Sequence, residues 1–533
     1  MNTRFALLLL VALPASLSAQ TAVSADNSQP PAPSRSVTGS SVGEALASAD
    51  GLLKESKFEE AAAAYKAILA KEPTAANAHV GLMRSFLRSH QLTEAEEAGK
   101  QAIQAAPLSS LVHATYGDVN FTIGQMGVAE AEYRAALKLD ANAARGLYGM
   151  GRMYSMVSMH KRAKEVFAKA HEADPKDSQI YEAWVASLPE AEQLEKVKKS
   201  AGDHPTEREQ QRITFLSKVS QNKPWVLAGE PKRTELKLLL YGRTLQDGGV
   251  NQGPRMIAKG FGVDVKFNGR AGATLLLDTG ASGITIGRKL AEKAGVVKIA
   301  DTFIRGIGDQ GPVASYIGWA DKINIGGIEF KNCVVEVSSK TDVADEAGLL
   351  GTDVFENFLI TLDFKERKLV LAPLPKNPNV PAYDDGPQDR YIAPEMQSFT
   401  KVWRFGHFLV LPVVVSDKAS GNFMLDTGAD TNTVDTKLAK QITKLSYEGY
   451  SLKGVSGSVK EVLNGDKAIL QFGKLRVRSD DIPVIDLGNL GRSEDTELAG
   501  FIGIRTLSQM KVTIDYRDGL VNFELYEFRP ARE

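Results

Sequence analysis

The chain has 533 residues, of which 43% are apolar, so it is long enough for several domains with buried cores. Its formal net charge is −1, which gives no basic field of the kind that attracts nucleic acid or acidic lipid. The single cysteine, Cys333, excludes an intrachain disulfide.

The N-terminal segment, 1–19, has the composition of a secretory signal peptide. Arg4 supplies a positive charge, an apolar run follows from residue 5 to 13, and small residues lead to Ala19. The run is too short to span a membrane, and no nearby cysteine could carry a lipid. We therefore expect an exported protein, periplasmic or secreted, without a membrane anchor after cleavage. Residues 20–42 are rich in Ser, Pro, Ala and Thr and are expected to form a disordered linker.

From residue 43 to 220 the apolar pattern is helical and recurs with a constant period. Each repeat ends at a proline or, once, an alanine: Pro73, Pro107, Ala141 and Pro175. Their equal spacing resembles the period of tetratricopeptide repeats, about 34 residues, although no tryptophan starts a repeat. The resemblance implies an α-solenoid of helical hairpins whose concave groove binds a peptide or another protein. An ordinary helical bundle is the alternative interpretation.

Residues 221–255 are expected to connect the helices to a β-rich region. There a four-residue string occurs twice after an apolar run, as Asp278-Thr279-Gly280-Ala281 and as Asp426-Thr427-Gly428-Ala429. A single Asp-Thr-Gly string is more often a structural turn. Two carboxylates at the ends of buried strands, however, share a proton when they face each other. One can then act as base toward a water and the other as acid, which suggests a hydrolase with paired aspartates.

The surroundings of the two strings match as well. An apolar-apolar-Gly follows each Asp, ending at Gly351 in the first copy and at Gly503 in the second. Another Asp follows each of these glycines at the same interval, at Asp363 and at Asp515. The spacing indicates an internal duplication of a domain of about 110 to 120 residues.

With these motifs both copies resemble retropepsin-type aspartic protease domains, in the bacterial branch that carries two lobes in one chain. The resemblance implies two all-β lobes, residues 256–374 and 406–528, with a proline-rich linker at 375–405. Each lobe would contribute one catalytic residue, Asp278 or Asp426. Pairing of lobes between chains remains open.

The resemblance also implies roles for other residues. Those supporting the aspartates would be Thr279, Gly280, Thr427 and Gly428. Glycines of a hairpin that closes over substrate, the flap, would be Gly306, Gly308, Gly454 and Gly457.

The two copies differ two positions past each Gly, where the first has Ser282 and the second has Asp430. In the family an Asp here accepts hydrogen bonds from the substrate backbone. We therefore expect both residues to bind substrate and the cleft to be asymmetric.

The sequence gives little support for other kinds of catalytic or binding site. The string from Gly306 to Gly311 fits a dinucleotide motif by letter, but a strand pattern follows it instead of a helix. The β-rich region has one histidine, His407, which argues against a Ser-His triad or a histidine zinc site. We expect no metal or cofactor. The leading hypothesis is an aspartic endopeptidase acting on peptides or proteins, and the alternative is a catalytically silent peptide-binding or protein-interaction scaffold.

Overall fold

The computed structural model describes residues 42–245, 255–309, 311–340, 343, 347–381, 386–447, 451–459, 461–493 and 495–526. The expected signal peptide and all but the last residue of the expected linker lie outside these residues. Two compact units divide the chain between Met150 and Gly151. In the described residues an N-terminal helical region precedes a β-rich region.

Consecutive helices account for the region up to Gln221. Their bounds are α1 Val42–Lys54, α2 Phe58–Lys71, α3 Ala76–Arg88, α4 Leu92–Ala105, α5 Ser110–Thr122, α6 Met126–Leu139, α7 Ala144–Met156, α8 His160–Ala173, α9 Ser178–Ala186, α10 Glu190–Ala201 and α11 Glu207–Gln221.

The period of the sequence is visible in the backbone of these helices. Positive φ angles recur at one constant interval along the chain, at Ser56, His90, Gly124 and Ser158. Each of these residues lies in the turn between two helices. The left-handed conformation ends one helix and lets the chain reverse into the next. The helices from α1 to α8 therefore form helix-turn-helix units that recur at one constant interval.

Close packing of aromatic rings against glycine holds neighbouring helices together. A Cβ atom at Gly81 would lie 2.2 Å from the Tyr65 ring, and one at Gly149 would lie 2.1 Å from the Tyr133 ring. Both tyrosines are fully buried. The glycines are thus required by the close approach of the helices.

The first β half comprises residues 226–373. Its strands and helix are β1 Val226–Leu227, β2 Thr234–Lys237, β3 Leu239–Leu245, β4 Arg255–Phe267, β5 Ala271–Asp278, β6 Ile284–Gly287, α12 Arg288–Ala294, β7 Val297–Ile304, β8 Val313–Ile325, β9 Ile328–Ser338, β10 Gly348–Gly351, β11 Phe358–Asp363 and β12 Lys368–Pro373, with a 3₁₀ turn at Thr352–Phe355.

The second β half comprises residues 400–525, after a 3₁₀ turn at Pro394–Met396. Its elements are β13 Thr400–Lys401, β14 Trp403–Phe405, β15 Phe408–Val415, β16 Ala419–Asp426, β17 Thr433–Asp435, α13 Thr436–Ile442, β18 Leu445–Tyr447, β19 Leu452–Gly454, β20 Gly457–Val459, β21 Leu463–Phe472, β22 Leu475–Ile485, α14 Gly488–Ser493, β23 Gly500–Gly503, α15 Ile504–Leu507, β24 Met510–Asp515 and β25 Leu520–Leu525.

Each half has its own main sheet. Among the described residues the order is β1-β9-β6-β10-β5-β4-β8-β7 in the first half, with β3 paired to β4, and β14-β15-β16-β23-β17-β22-β21-β18 in the second. Alternate side chains of these strands enter one continuous apolar core, which includes Leu275, Leu277 and Ile502.

A third sheet contains strands of both halves, in the order β13-β25-β24-β11-β12-β2. Its central contact pairs β11 with β24 antiparallel, with Thr361 opposite Thr513. The two threonine hydroxyl oxygens lie 3.2 Å apart. The two halves are therefore joined by backbone hydrogen bonds as well as by apolar packing.

The end of the helical region and the segments that connect it to the β halves, and one half to the other, are also packed. Trp225 is 2% exposed, and its ring lies edge-on to Phe330 with centroids 5.6 Å apart. Lys218 of α11 lies over the ring of Trp319, 4.6 Å from its centroid. In the range expected to be a proline-rich linker, Met396 is buried and Arg390 Nε donates to the Asp518 carbonyl at 2.6 Å.

Candidate active site

The two Asp-Thr-Gly turns lie at corresponding strand ends. Strand β5 ends at Asp278 beside β10, where Asp278 is opposite Gly351, and β16 ends at Asp426 opposite Gly503. A Cβ atom at Gly351 would lie 2.5 Å from the Ala281 carbonyl oxygen. The apolar-apolar-Gly strand can therefore lie directly against the turn only because its last residue is glycine.

Reciprocal hydrogen bonds join the two turns. Thr279 Oγ1 donates to the Leu425 carbonyl at 2.7 Å and accepts from the Thr427 amide at 3.0 Å. Thr427 Oγ1 donates to the Leu277 carbonyl at 2.9 Å and accepts from the Thr279 amide at 3.0 Å. Because all four bonds are buried, losing either hydroxyl would leave an amide and a carbonyl without partners.

The turns bring the carboxyl groups of Asp278 and Asp426 together. Each carboxyl lies over the opposite turn, since a Cβ atom at Gly428 would be 2.5 Å from Asp278 Oδ2 and one at Gly280 would be 3.1 Å from Asp426 Oδ1. Asp278 Oδ1 accepts from the Gly280 amide at 2.7 Å. Asp426 Oδ1 accepts from the amides of Gly428 and Ala429, each at 2.9 Å.

Burial controls the protonation of this pair. It raises the pKa of Asp278 well above the usual range, and the adjacent Asp426 charge raises it further. Burial also raises the pKa of Asp426, against the hydrogen bonds from Ala429, Asp278 and Gly428 that favour its ionised form. Two carboxyls this close hold one proton between them over a range of pH. Such a pair can act as acid and base at once.

The residues expected to bind substrate differ in their surroundings. Ser282 Oγ donates to the Asp353 carboxylate at 3.1 Å, and the Gly283 amide donates to the same group at 2.9 Å. Asp430 is exposed, and its carboxylate lies 3.6 Å from the Arg505 guanidinium. The hydroxyl of Ser282 is thus already engaged within its own half, whereas Asp430 faces solvent.

The four flap glycines lie on two hairpin tips that touch. The Ser456 amide donates to the Ile307 carbonyl at 3.1 Å. Gly308 has φ +144°, and a Cβ atom there would lie 2.2 Å from the Ser456 carbonyl carbon, while one at Gly454 would lie 2.2 Å from the Ile307 carbonyl oxygen. The contact therefore depends on glycine at both tips. Strand β8 begins at Val313, so the helix that a dinucleotide motif requires does not follow Gly311.

One residue near the turns was not identified from sequence. His407, in the turn before β15, donates from Nε2 to the Gly280 carbonyl at 3.2 Å. Burial lowers the pKa of His407 to about 4, so the ring is neutral at ordinary pH. The only sequence signal was its isolation as the one histidine of the β-rich region, and that signal does not indicate a partner 127 residues away.

Two protein-family models match parts of the chain. Residues 263–354 match the family model described as aspartyl protease, and residues 46–110 match that described as tetratricopeptide repeat. The chain carries an aspartyl protease domain preceded by tetratricopeptide repeats. The protease match includes Asp278 and ends at Val354. A search of curated proteins gave no match.

In the described part of the chain, no three or more His, Cys, Asp or Glu side chains cluster in a way that could hold a metal ion. None of the helices described is both long and apolar enough to cross a membrane.

Proposed function

We propose that the protein is an exported aspartic endopeptidase with two retropepsin-like lobes in one chain. The observation that carries the proposal is the pair of Asp-Thr-Gly turns, joined by reciprocal threonine bonds, with the carboxyls of Asp278 and Asp426 side by side. The protease family match and the raised pKa values of both carboxyls support it.

In the proposed reaction a water lies between the two carboxyls. The ionised carboxylate takes a proton from the water as its oxygen attacks the peptide carbonyl carbon, and the protonated carboxyl gives its proton to the carbonyl oxygen. The tetrahedral intermediate then collapses: one of its hydroxyls returns a proton to the pair, the C–N bond breaks and the amine nitrogen takes up the other proton, which leaves the pair singly protonated as at the start. The products are one carboxylic acid and one amine, and no covalent enzyme intermediate forms.

The flap tips would serve this reaction by covering the cleft. Val455 at one tip packs against the small apolar cluster that contains Leu276 and Leu349, and Ala281 of the first turn packs against the same cluster. Opening of the two hairpins would admit a peptide, and closing would exclude bulk water from the carboxyls.

Export and domain limits belong to the same proposal. The signal-peptide composition of residues 1–19 supports export to the periplasm or the medium. We propose the repeats at 43–220, with their capping helices, as a binding surface for a peptide or protein partner, in line with the tetratricopeptide match at 46–110. The proposed lobes are residues 256–374 and 406–528.

Single substitutions test the pair directly. Asp278→Asn and Asp426→Asn should each reduce peptide cleavage by at least about 10⁴-fold, because either change removes one of the two proton-transfer groups. Asp417→Asn, at an exposed carboxyl that pairs with Arg476, is the matched control and should retain activity. Cleavage of a random peptide mixture, followed by mass spectrometry, gives the readout.

Substantial activity in either asparagine variant would contradict the paired mechanism. If the native protein cleaves no peptide but still binds peptides with an affinity that the asparagine variants share, the silent scaffold is the better description. Binding of a statine-containing peptide, whose hydroxyl replaces the water, distinguishes a competent cleft from an incompetent one.

A further inference from the structure

A continuous row of side chains crosses one face of the main sheet in the first β half. The strand register places Leu276 of β5 beside Leu349 of β10, Leu349 beside Thr285 of β6, and Thr285 beside Glu336 of β9. Ile317 of β8 continues the row. Neighbours in register point to the same side of a sheet, so these five residues share a face.

This face is not the one that packs into the main core. Alternate residues on the same strands, Ile284 and Ile286 on β6 and Val335 and Val337 on β9, enter that core. Leu276 and Leu349 instead form a smaller apolar cluster with Ala281, next to the first turn, and with Val455 of the opposite flap tip. The face therefore borders the candidate active site at one end.

Glu336 is the only acidic member of this row, and its surroundings do not neutralise it. Its carboxylate accepts hydrogen bonds from the hydroxyls of Ser315, at 3.4 Å, and Thr285. Among the described residues no cationic side chain pairs with it. Burial raises the pKa of Glu336 to about 7, and the residue as a whole keeps some exposure to solvent. Glu336 is thus a largely buried acceptor with two hydroxyl partners and, among the described residues, no counter-ion.

The fold itself does not require a carboxylate here. In the second β half the corresponding row runs from Met424 to Phe501 to Thr433. Strand β17 pairs with β22 from Val434 opposite Val484, and continuing this register by one residue brings Pro483 beside Thr433. The second sheet thus has the same strand arrangement with an uncharged residue at the equivalent position. Glu336 is a feature of one half only.

We propose that Glu336, with Thr285 and Ser315, forms a subsite for a lysine or arginine side chain of the peptide substrate. The proposal rests on the proposed function, because it takes the row as a wall of the cleft. Glu336 lies three strands from Leu276, about 14 Å at the usual strand spacing of about 4.8 Å. The basic residue would then lie within about four residues of the scissile bond. A protonated amine or guanidinium supplies the missing counter-ion and donates to an acceptor that is poorly solvated.

Peptides that differ in one side chain test this subsite. A set of peptides carries lysine, arginine, norleucine or glutamate at each position within four of the cleaved bond, and kcat/KM is measured for each. The native protein should prefer lysine or arginine to norleucine at one position by about 10-fold or more. Glu336→Gln should abolish that preference, and Glu336→Lys should reverse it toward glutamate. Glu329→Gln, on the same strand and paired with Lys322, is the matched control and should leave the preference intact.

Binding measurements separate this inference from the proposed activity. Dissociation constants of lysine and norleucine peptides are measured for Asp278→Asn and for the double variant that also carries Glu336→Gln. The preference for lysine in these two proteins tests the subsite even if the native protein cleaves nothing. If the native protein cleaves peptides and Glu336→Gln keeps the same profile, the subsite is wrong and the endopeptidase stands. A lower melting temperature in Glu336→Gln with an unchanged lysine preference would assign Glu336 a structural role and overturn the inference. Loss of discrimination in binding without any cleavage would support the subsite and contradict the endopeptidase.

Discussion

The carboxyl groups of Asp278 and Asp426 receive different hydrogen bonds from their own turns. Asp426 accepts from the amides of Gly428 and Ala429 in its own turn, whereas Asp278 accepts from Gly280 in its own turn and from Gly428 in the opposite one. The Ala281 amide donates instead to the Asp278 backbone carbonyl, at 3.3 Å. Burial raises the pKa of both carboxyls, and the hydrogen bond between them adds to this rise at Asp278 but opposes it at Asp426, so the charge of the pair is better accommodated at Asp426 and the proton at Asp278. The two turns are alike in sequence but differ in the role that each favours.

Neither turn offers a hydroxyl to its carboxyl at the position after glycine, where the chain has Ala281 and Ala429. Burial and the paired charge raise the pKa of Asp278, so the singly protonated pair persists to higher pH than an isolated Asp would. We expect activity from mildly acidic to near-neutral pH. Replacing both alanines by serine adds donors to the ionised form, lowers the pKa of the pair and should move the alkaline limit of activity down by about one pH unit.

The pH dependence of kcat/KM is the measurement for this prediction. Cysteine at both positions is the control, since it adds similar volume with a weak donor and should shift the profile less. An activity maximum confined to strong acid in the native protein, or an upward shift in the double-serine variant, would contradict the expectation.

Two hairpins, between β7 and β8 and between β19 and β20, meet at their tips. Gly308→Ala should prevent this contact, because its Cβ atom would lie 2.2 Å from the backbone of Ser456. Gly311→Ala is a matched control: Gly311 also has a positive φ, +66°, but nothing lies within 4 Å of a Cβ atom there. Both variants carry backbone strain, and only the first carries the clash. We expect Gly308→Ala to lower kcat/KM by about 10-fold or more relative to Gly311→Ala.

Steady-state kinetics on one peptide substrate, with thermal unfolding of each variant, separates closure from stability. Equal kinetic losses in the two glycine variants would show that strain within the hairpin, and not contact between the tips, accounts for the effect.

Local patterns predict elements of this kind better than they predict contacts between them. Apolar runs before Asp278 and Asp426 identified buried strands, because strand preferences act over a few residues. The hairpins at the glycines near 306 and 454 were implied by the family resemblance. The bond between Ser456 and Ile307 joins the two β halves across a long stretch of chain and has no local signature. The same holds for His407, whose partner is a backbone carbonyl that any residue could provide.

The boundary between the two compact units does not coincide with the end of the helices. The chain divides at Met150, although the turn of the repeat recurs at Ser158 and helices continue to Gln221. Helical periodicity reflects the local geometry of the backbone, so it continues unchanged across the boundary between the two compact units. Which helices pack with the β halves is decided by side chains such as Trp225 and Lys218, whose partners lie far along the chain. Sequence patterns therefore predicted the helical region but not this division.

A fragment of residues 144–533, which retains α7 entire, should unfold cooperatively. A fragment of residues 230–533 lacks Trp225 and strand β1, so it should be less stable or fail to fold. Trp225→Ala in the full chain isolates the aromatic contact and should cost about 3 to 5 kcal/mol. Thermal unfolding followed by near-ultraviolet circular dichroism compares the three proteins. Equal melting temperatures for the two fragments would show that the preceding helices and Trp225 contribute little to the β halves.

The contacts that join the β halves pair equivalent residues. Thr361 and Thr513 each follow the glycine of their own apolar-apolar-Gly at the same interval, and they face each other across β11 and β24, as Thr279 and Thr427 do at the turns. The halves thus meet as two subunits of a symmetric dimer would. A symmetric dimer presents the same side chains to a peptide bound in either of the two chain directions. Here Ser282 is matched by Asp430 and Glu336 by Pro483, so a bound peptide meets different side chains when its direction is reversed. Under the proposed function, joining the halves in one chain allows the enzyme to distinguish a sequence from its reverse.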